Sequence, residues 1–164
     1  MGLIACSPSY DYYIDEDDSA HYPNEIDGSS DAVRRNSEKI FKSKCINLIN
    51  VGQDYAFYVS SNALFFSQSP RIISKNYVIL DEMIDYFKQF RIVTVQVKAY
   101  QYPTYDKQRD TALALARAQQ IVNYFSSQGV DIRIMVASQF TPLNSLSSLP
   151  AGDTIEISFR QTLK

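Results

Sequence analysis

A change of hydrophobic period between residues 92 and 129 constrains this chain more than any other feature. In Ile92-Val93-Thr94-Val95-Gln96-Val97-Lys98-Ala99-Tyr100, Val93, Val95, Val97 and Ala99 alternate with Thr94, Gln96 and Lys98. A period of two predicts a half-buried strand. After a loop at 101–105, Ala114, Ala118, Ile121 and Phe125 recur at helical spacing, with Leu115 and Val122 beside them. Gly129 is placed to end that helix as its C′ residue. Asp110, Leu113 and Arg117 form a neighbouring stripe on the first turns, directed towards the loop. A loop at the C-terminal end of a strand, followed by a helix N-terminus, is a favoured ligand position. A small-molecule site is therefore expected there.

The rest of the chain supplies further elements of the same two kinds. Residues 31–44 are predicted as a short helix. Strands over Cys45 to Ile49 and Tyr55 to Val59 flank Asn50-Val51-Gly52-Gln53 as a hairpin. Ala63-Leu64-Phe65-Phe66 reads as an apolar turn. A second amphipathic helix runs from Ser74 to Gln89, its core stripe made by Tyr77, Leu80, Ile84 and Phe87. A strand over Ile132 to Val136 and a loop over 138–152 precede a closing strand, Thr154 to Arg160, with Ile155, Ile157 and Phe159 inward. Long helices between strands imply crossover connections. The pattern predicts an α/β sandwich, β-α-β-α-β-β, with helices on one face of a mixed sheet.

Charge divides the 164 residues unevenly. Residues 1–33 hold eight acidic side chains (Asp11, Asp15, Glu16, Asp17, Asp18, Glu25, Asp27 and Asp31) and no Lys or Arg. All 16 Lys and Arg lie in 34–164, against ten acidic residues, a net of +6. The acidic stretch reads as a solvated tether, or as an arm that docks on a basic neighbour or on its own domain. The scattered basic residues do not make a phosphate-tracking surface, so nucleic acid is not expected as a partner. No run is long and apolar enough for a transmembrane helix.

Cofactor and metal chemistry find no motif. Zinc-ligand spacing is absent, and Asp15 to Asp18 lacks the Gly and spaced Glu of a calcium loop. The single histidine, His21, lies in the acidic stretch, so neither a Cys–His nor a Ser–His nucleophile system can be assembled. Three carboxylates and an Arg near one loop (Asp106, Asp110, Asp131, Arg117) are the nearest approach to an enzyme-like cluster. The expectation is a non-enzymatic protein with no cofactor.

Leu3-Ile4-Ala5-Cys6 resembles a bacterial lipobox, in which the chain is cut before the Cys and its thiol is acylated. A lipoprotein signal needs an apolar run of about 7–15 residues. Only Gly2 to Ala5 separate Met1 from Cys6, so the earlier part of such a signal is expected upstream of Met1. On this reading Cys6 is the lipidation site, residues 7–33 are a linker, and an acyl anchor holds the protein without spanning. Ser7 after the Cys implies export to the outer membrane. Cys45 is then a lone thiol beside Ile46 and Leu48; the competing reading is a Cys6–Cys45 disulfide in an oxidising compartment.

Leu64-Phe65, Ala99-Tyr100, Leu113-Ala114-Leu115-Ala116-Arg117-Ala118, Tyr124, Gly129, Val130-Asp131 and Ile155-Glu156-Ile157 recur in a fixed order between about Val51 and Arg160. Through them this stretch resembles an OmpA-like domain, the peptidoglycan-associating module of cell-envelope proteins, whose Leu-Ser-x-x-Arg-Ala is matched by residues 113–118. The resemblance implies a site for the diaminopimelate side arm of the peptide stem. A carboxylate pairs with its ammonium and an Arg fork grips its carboxylate. Arg117 falls on the family's helix Arg, and Asp110 is the candidate carboxylate. Tyr102 stands where the family has its ammonium-binding Asp, and Thr154 where it has the second Arg of a closing Asn-Arg-Arg.

The chain thus divides into a lipobox remnant (1–6), an acidic linker (7–33), a short helix with a lead-in strand (34–50) and an OmpA-like domain (51–164). Tyr102 and Thr154 tilt the expectation towards a structural lipoprotein at the periplasmic face of the outer membrane. With the Leu3-Ile4-Ala5-Cys6 start, Gln53-Asp54-Tyr55, Ser69-Pro70-Arg71-Ile72 and Gln89-Phe90-Arg91 extend the resemblance to lipoproteins of type IVB (Dot/Icm) secretion systems, whose other outer-membrane subunits are the expected partners. The alternative is a wall anchor that binds peptidoglycan through Arg117 and Asp110.

Overall fold

A computed structural model of the chain describes residues 45–51, 54–100, 106–139 and 154–162. The elements are β1 (Asn47–Val51), β2 (Asp54–Ser60), the short α1 (Ser61–Leu64), α2 (Tyr77–Phe87), β3 (Arg91–Ala99), α3 (Lys107–Ser127), β4 (Met135–Gln139) and β5 (Thr154–Thr162). The strands form one mixed sheet in the order β1-β2-β5-β3-β4. Only β3 and β4 pair in parallel; the other neighbours are antiparallel. Because β5 is antiparallel to both β2 and β3, those two strands point the same way with β5 between them. The helix predicted over 31–44 lies outside the described residues.

Alternation fixes which sheet face is dry. Phe57 and Val59 of β2, Val95, Val97 and Ala99 of β3, and Ile155, Ile157 and Phe159 of β5 are buried. They meet Ile79, Leu80, Met83, Ile84, Tyr86 and Phe87 of α2 and Ala114, Ala118, Ile121, Val122 and Phe125 of α3. The predicted stripe of α2 holds at Leu80, Ile84 and Phe87, while Tyr77 is half-buried, its ring 4.6 Å from that of Tyr124. At the centre Phe159 lies 4.8 Å from Phe57 and 5.0 Å from Phe87, which meets Phe125 edge-on at 5.7 Å. Each such pair adds roughly 0.5–1.5 kcal/mol beyond its buried area.

The other face carries polar cross-strand rows. Asn47, Tyr58, Glu156, Lys98 and Ser138 stand in register across all five strands. The Tyr58 hydroxyl donates to Glu156 Oε1 at 2.7 Å, and Lys98 Nζ lies 3.6 Å from Oε2. Burial, and then the bond to a carboxylate, pushes the Tyr58 hydroxyl above the usual phenol range. Further along, Arg160 grips the paired Asp54 with Nε and Nη2 at 2.8 and 3.3 Å.

Three local expectations are corrected. Val93 is 42% exposed, because the β3–β5 register slips between Ile92 and Thr94 and the extra residue loses its inward place. Leu115 is 44% exposed; at about 100° per residue it falls just past the buried arc that Ala118, Ile121 and Val122 define. The strand predicted from Ile132 begins only at Met135, after a 3₁₀ turn over Ile132–Ile134. There Asp131 accepts from the Arg133 backbone N–H at 2.9 Å and pairs with its guanidinium at 2.7 Å. A local side chain–backbone bond of this kind competes with strand pairing.

Gly129 ends α3 as expected. Val130 N donates to Phe125 O at 3.0 Å and Gly129 N to Ser126 O at 3.1 Å, the paired bonds of a Schellman motif, with Gly129 at φ +99°. Val130, in the position after it, packs on the core. A Cβ on Gly129 would meet nothing within 4 Å, so only its backbone conformation resists substitution. Gly129→Ala is expected to lower stability by about 1 kcal/mol, read as a reduced urea midpoint with an unchanged m-value.

Candidate functional site

Topology gathers the loops at one end of the sheet. The C-terminal ends of β2, β3 and β4 and the start of β5 lie together: Ser60 pairs with Thr154, and Ala99 with both Ile155 and Gln139. Tyr100 N donates to Thr154 O at 2.8 Å, extending the ladder by one bond. The segments 101–105 and 140–153 attach at this end and lie outside the described residues, Tyr102 and Tyr105 with them. The outer carboxyl ends of parallel strands are where ligands bind in open α/β sheets.

α3 starts at this end because Asp106 caps it. The Asp106 carboxylate accepts from Arg109 N at 3.1 Å. Asp110, in the first turn, is 9% exposed, in the region where the helix dipole favours an anion. Arg117 follows seven residues later, within roughly 20° of Asp110 around the helix and about 10 Å further along it. The structure thus puts the two predicted site residues on one stripe. Asp131 is not brought to them: it stands past the far end of this 21-residue helix, paired with Arg133.

Arg117 is not on a solvent-facing stripe. It is 2% exposed, with Nε donating to Ser69 O at 3.0 Å, Nη2 to Phe66 O at 3.2 Å, and its guanidinium 5.3 Å from the Phe65 ring centroid. These contacts hold a turn between α1 and α2. Phe65 bridges to Ile72, Phe66 N donates to Arg71 O at 3.1 Å, and Ser69 N donates to Phe66 O at 3.2 Å. Gln68 sits at φ +53°, a left-handed conformation costing a non-glycine residue roughly 1 kcal/mol or more. Sequence reasoning singled out Leu64-Phe65 and Ser69 to Ile72 as family-like but did not connect them with Arg117. No short-range pattern reports a contact across 48 residues.

Cys45 is disulfide-bonded, which corrects the expected lone thiol. The chain has one other cysteine, Cys6, which lies outside the described residues together with its predicted lipidation.

The five-stranded sheet and single helical layer, with a helix Arg that reaches back to the segment after β2, give the chain the fold of OmpA-like domain structures. Residues 64–142, just under half of the chain, match the sequence profile of the OmpA family. The fold is shared with the cell wall anchor of the T6SS from Pseudomonas aeruginosa (TM-score 0.63, 16% identity, covering 79% of this chain and 97% of that one). It is also shared with the periplasmic domain of Helicobacter pylori MotB (0.59, 19%, 74% and 82%). A third likeness is the OmpA-like domain of FopA1 from Francisella tularensis (0.52, 19%, 71% and 82%). No curated protein matches by sequence.

Removing Arg117 leaves two main-chain acceptors and a void inside the fold. Arg117→Ala is expected to cost about 3 kcal/mol or more in urea unfolding. Arg117→Lys should recover less than half, since a point donor cannot serve two carbonyls as a planar fork does. A wild-type midpoint for Arg117→Ala would show that the turn holds itself.

Proposed function

We propose that this chain is a non-enzymatic, peptidoglycan-associating domain of the cell envelope. The observation that carries this reading is an OmpA-like fold in which Asp110 and Arg117 lie buried and aligned on one face of α3, beside the loop-bearing end of the sheet. The Asp110 carboxylate is the group to receive the ammonium of a stem-peptide side arm. The P. aeruginosa neighbour, a cell wall anchor, and the H. pylori neighbour, a periplasmic domain, support the setting. So does the disulfide at Cys45, a bond that persists in oxidising compartments.

Co-sedimentation of the full chain with insoluble peptidoglycan tests this. The wild type is expected in the pellet, and Asp110→Asn, which keeps shape but removes charge, should bind about tenfold more weakly. Wild-type protein left in the supernatant would sink the reading and leave the OmpA-like body as a scaffold for protein contacts.

A narrower reading places the chain in the outer membrane as a lipoprotein subunit of a type IVB (Dot/Icm) secretion complex. Its support is the lipobox-like Leu3-Ile4-Ala5-Cys6 and a resemblance to the lipoprotein IcmN/DotK through Gln53-Asp54-Tyr55, Ser69-Pro70-Arg71-Ile72 and Gln89-Phe90-Arg91. Acylation consumes the Cys6 thiol, so this reading requires the Cys45 disulfide to be made with a cysteine of another chain. Intact mass of the membrane-extracted protein, without reductant, separates the cases. The lipoprotein reading expects acyl mass on an N-terminal Cys6 peptide; a chain lighter only by two thiol hydrogens rules the anchor out.

A further inference from the structure

We propose that the turn from Phe66 to Arg71 is a preorganised recognition element, in which the Arg71 guanidinium grips a carboxylate of the wall's stem peptide. The proposal rests on the peptidoglycan reading and adds a contact residue that neither motif nor family resemblance singled out as a ligand contact.

The first observation is what Arg117 holds. Taking a guanidinium out of water is costly, and an apolar side chain could close this part of the core more cheaply. What an apolar side chain cannot do is bond Phe66 O and Ser69 O at once. The buried cation therefore fixes the main chain of one exposed turn. A second observation is the left-handed Gln68 between those two carbonyls. Conformations of this kind persist where surrounding contacts over-determine the backbone, and they concentrate at recognition elements.

The third observation is what the fixed turn displays. Phe66 is 46% exposed, and the exposed Arg71 lays its guanidinium carbon 5.8 Å from the Phe66 ring centroid. Arg71 N is itself fixed by the Ser69 hydroxyl, which accepts from it at 3.1 Å. Among the described residues no carboxylate pairs with Arg71, whereas Arg133 and Arg160 are taken up by Asp131 and Asp54. A guanidinium backed by an aromatic ring keeps its N–H fork turned outward and loses little freedom when a carboxylate docks. The uncovered part of the Phe66 ring gives the aliphatic portion of the same side arm a surface to pack on. Recognition sites need this combination of displayed groups and a rigid support.

The test uses the full chain and two soluble muropeptides that differ only in whether the stem side-arm carboxylate is free or amidated, with binding followed by calorimetry. Wild type should bind the free acid about tenfold more tightly than the amide. Arg71→Ala should lose that preference with an unchanged melting temperature, since its side chain is exposed. Arg71→Lys should retain only part of the preference, and Phe66→Ala should weaken both ligands equally. Arg71→Ala that still discriminates like wild type would overturn the assignment and leave the wall reading intact. Wild-type protein that binds neither muropeptide nor insoluble wall would overturn both.

Discussion

The insertion of β5 between β2 and β3 is the constraint on which the other layers depend. β5 contributes Ile155, Ile157 and Phe159 to the core and pairs along its length with both neighbours. Without it the β1–β2 hairpin and the β3–α3–β4 unit have no shared ladder. The Asp54–Arg160 pair spans 106 positions, so the sheet is completed only when the last segment arrives. Contacts of such separation require loop-closure entropy to be spent before they give anything back, which favours slow folding. The same insertion sets β2 and β3 with their carboxyl ends together, and the parallel β3–β4 pairing adds that of β4, which creates the end at which the loops converge.

Arg117 joins the helical layer to that arrangement. A buried cation on a helix is costly unless its hydrogen bonds are met, and here main-chain carbonyls of the segment after β2 meet two of them. The family-like Arg is thus part of the architecture. It sets the shape of the turn whose carbonyls it bonds, and with it the groups that turn presents. This also bears on the open face of the sheet, where the charged groups Asp54, Arg160, Lys98 and Glu156 are matched within the sheet itself.

Strands, helices and their dry faces were legible in the sequence because they are set by periods of two and 3.6, which neighbouring residues alone specify. The β5 triplet, the Ala114-to-Phe125 stripe and the Gly129 cap are of this kind. Val93 and Ile132 were misread because a bulge and an Asx-type turn each break a period within one or two residues. The stripe shared by Asp110 and Arg117 was equally local and equally legible. What only the tertiary structure decided was the content of that stripe. Whether Arg117 faces water or the backbone of residues 66 to 69 depends on which distant segments the β5 insertion brings beside α3. Periodicity carries no information about that choice, because packing between elements, not spacing along one element, determines it.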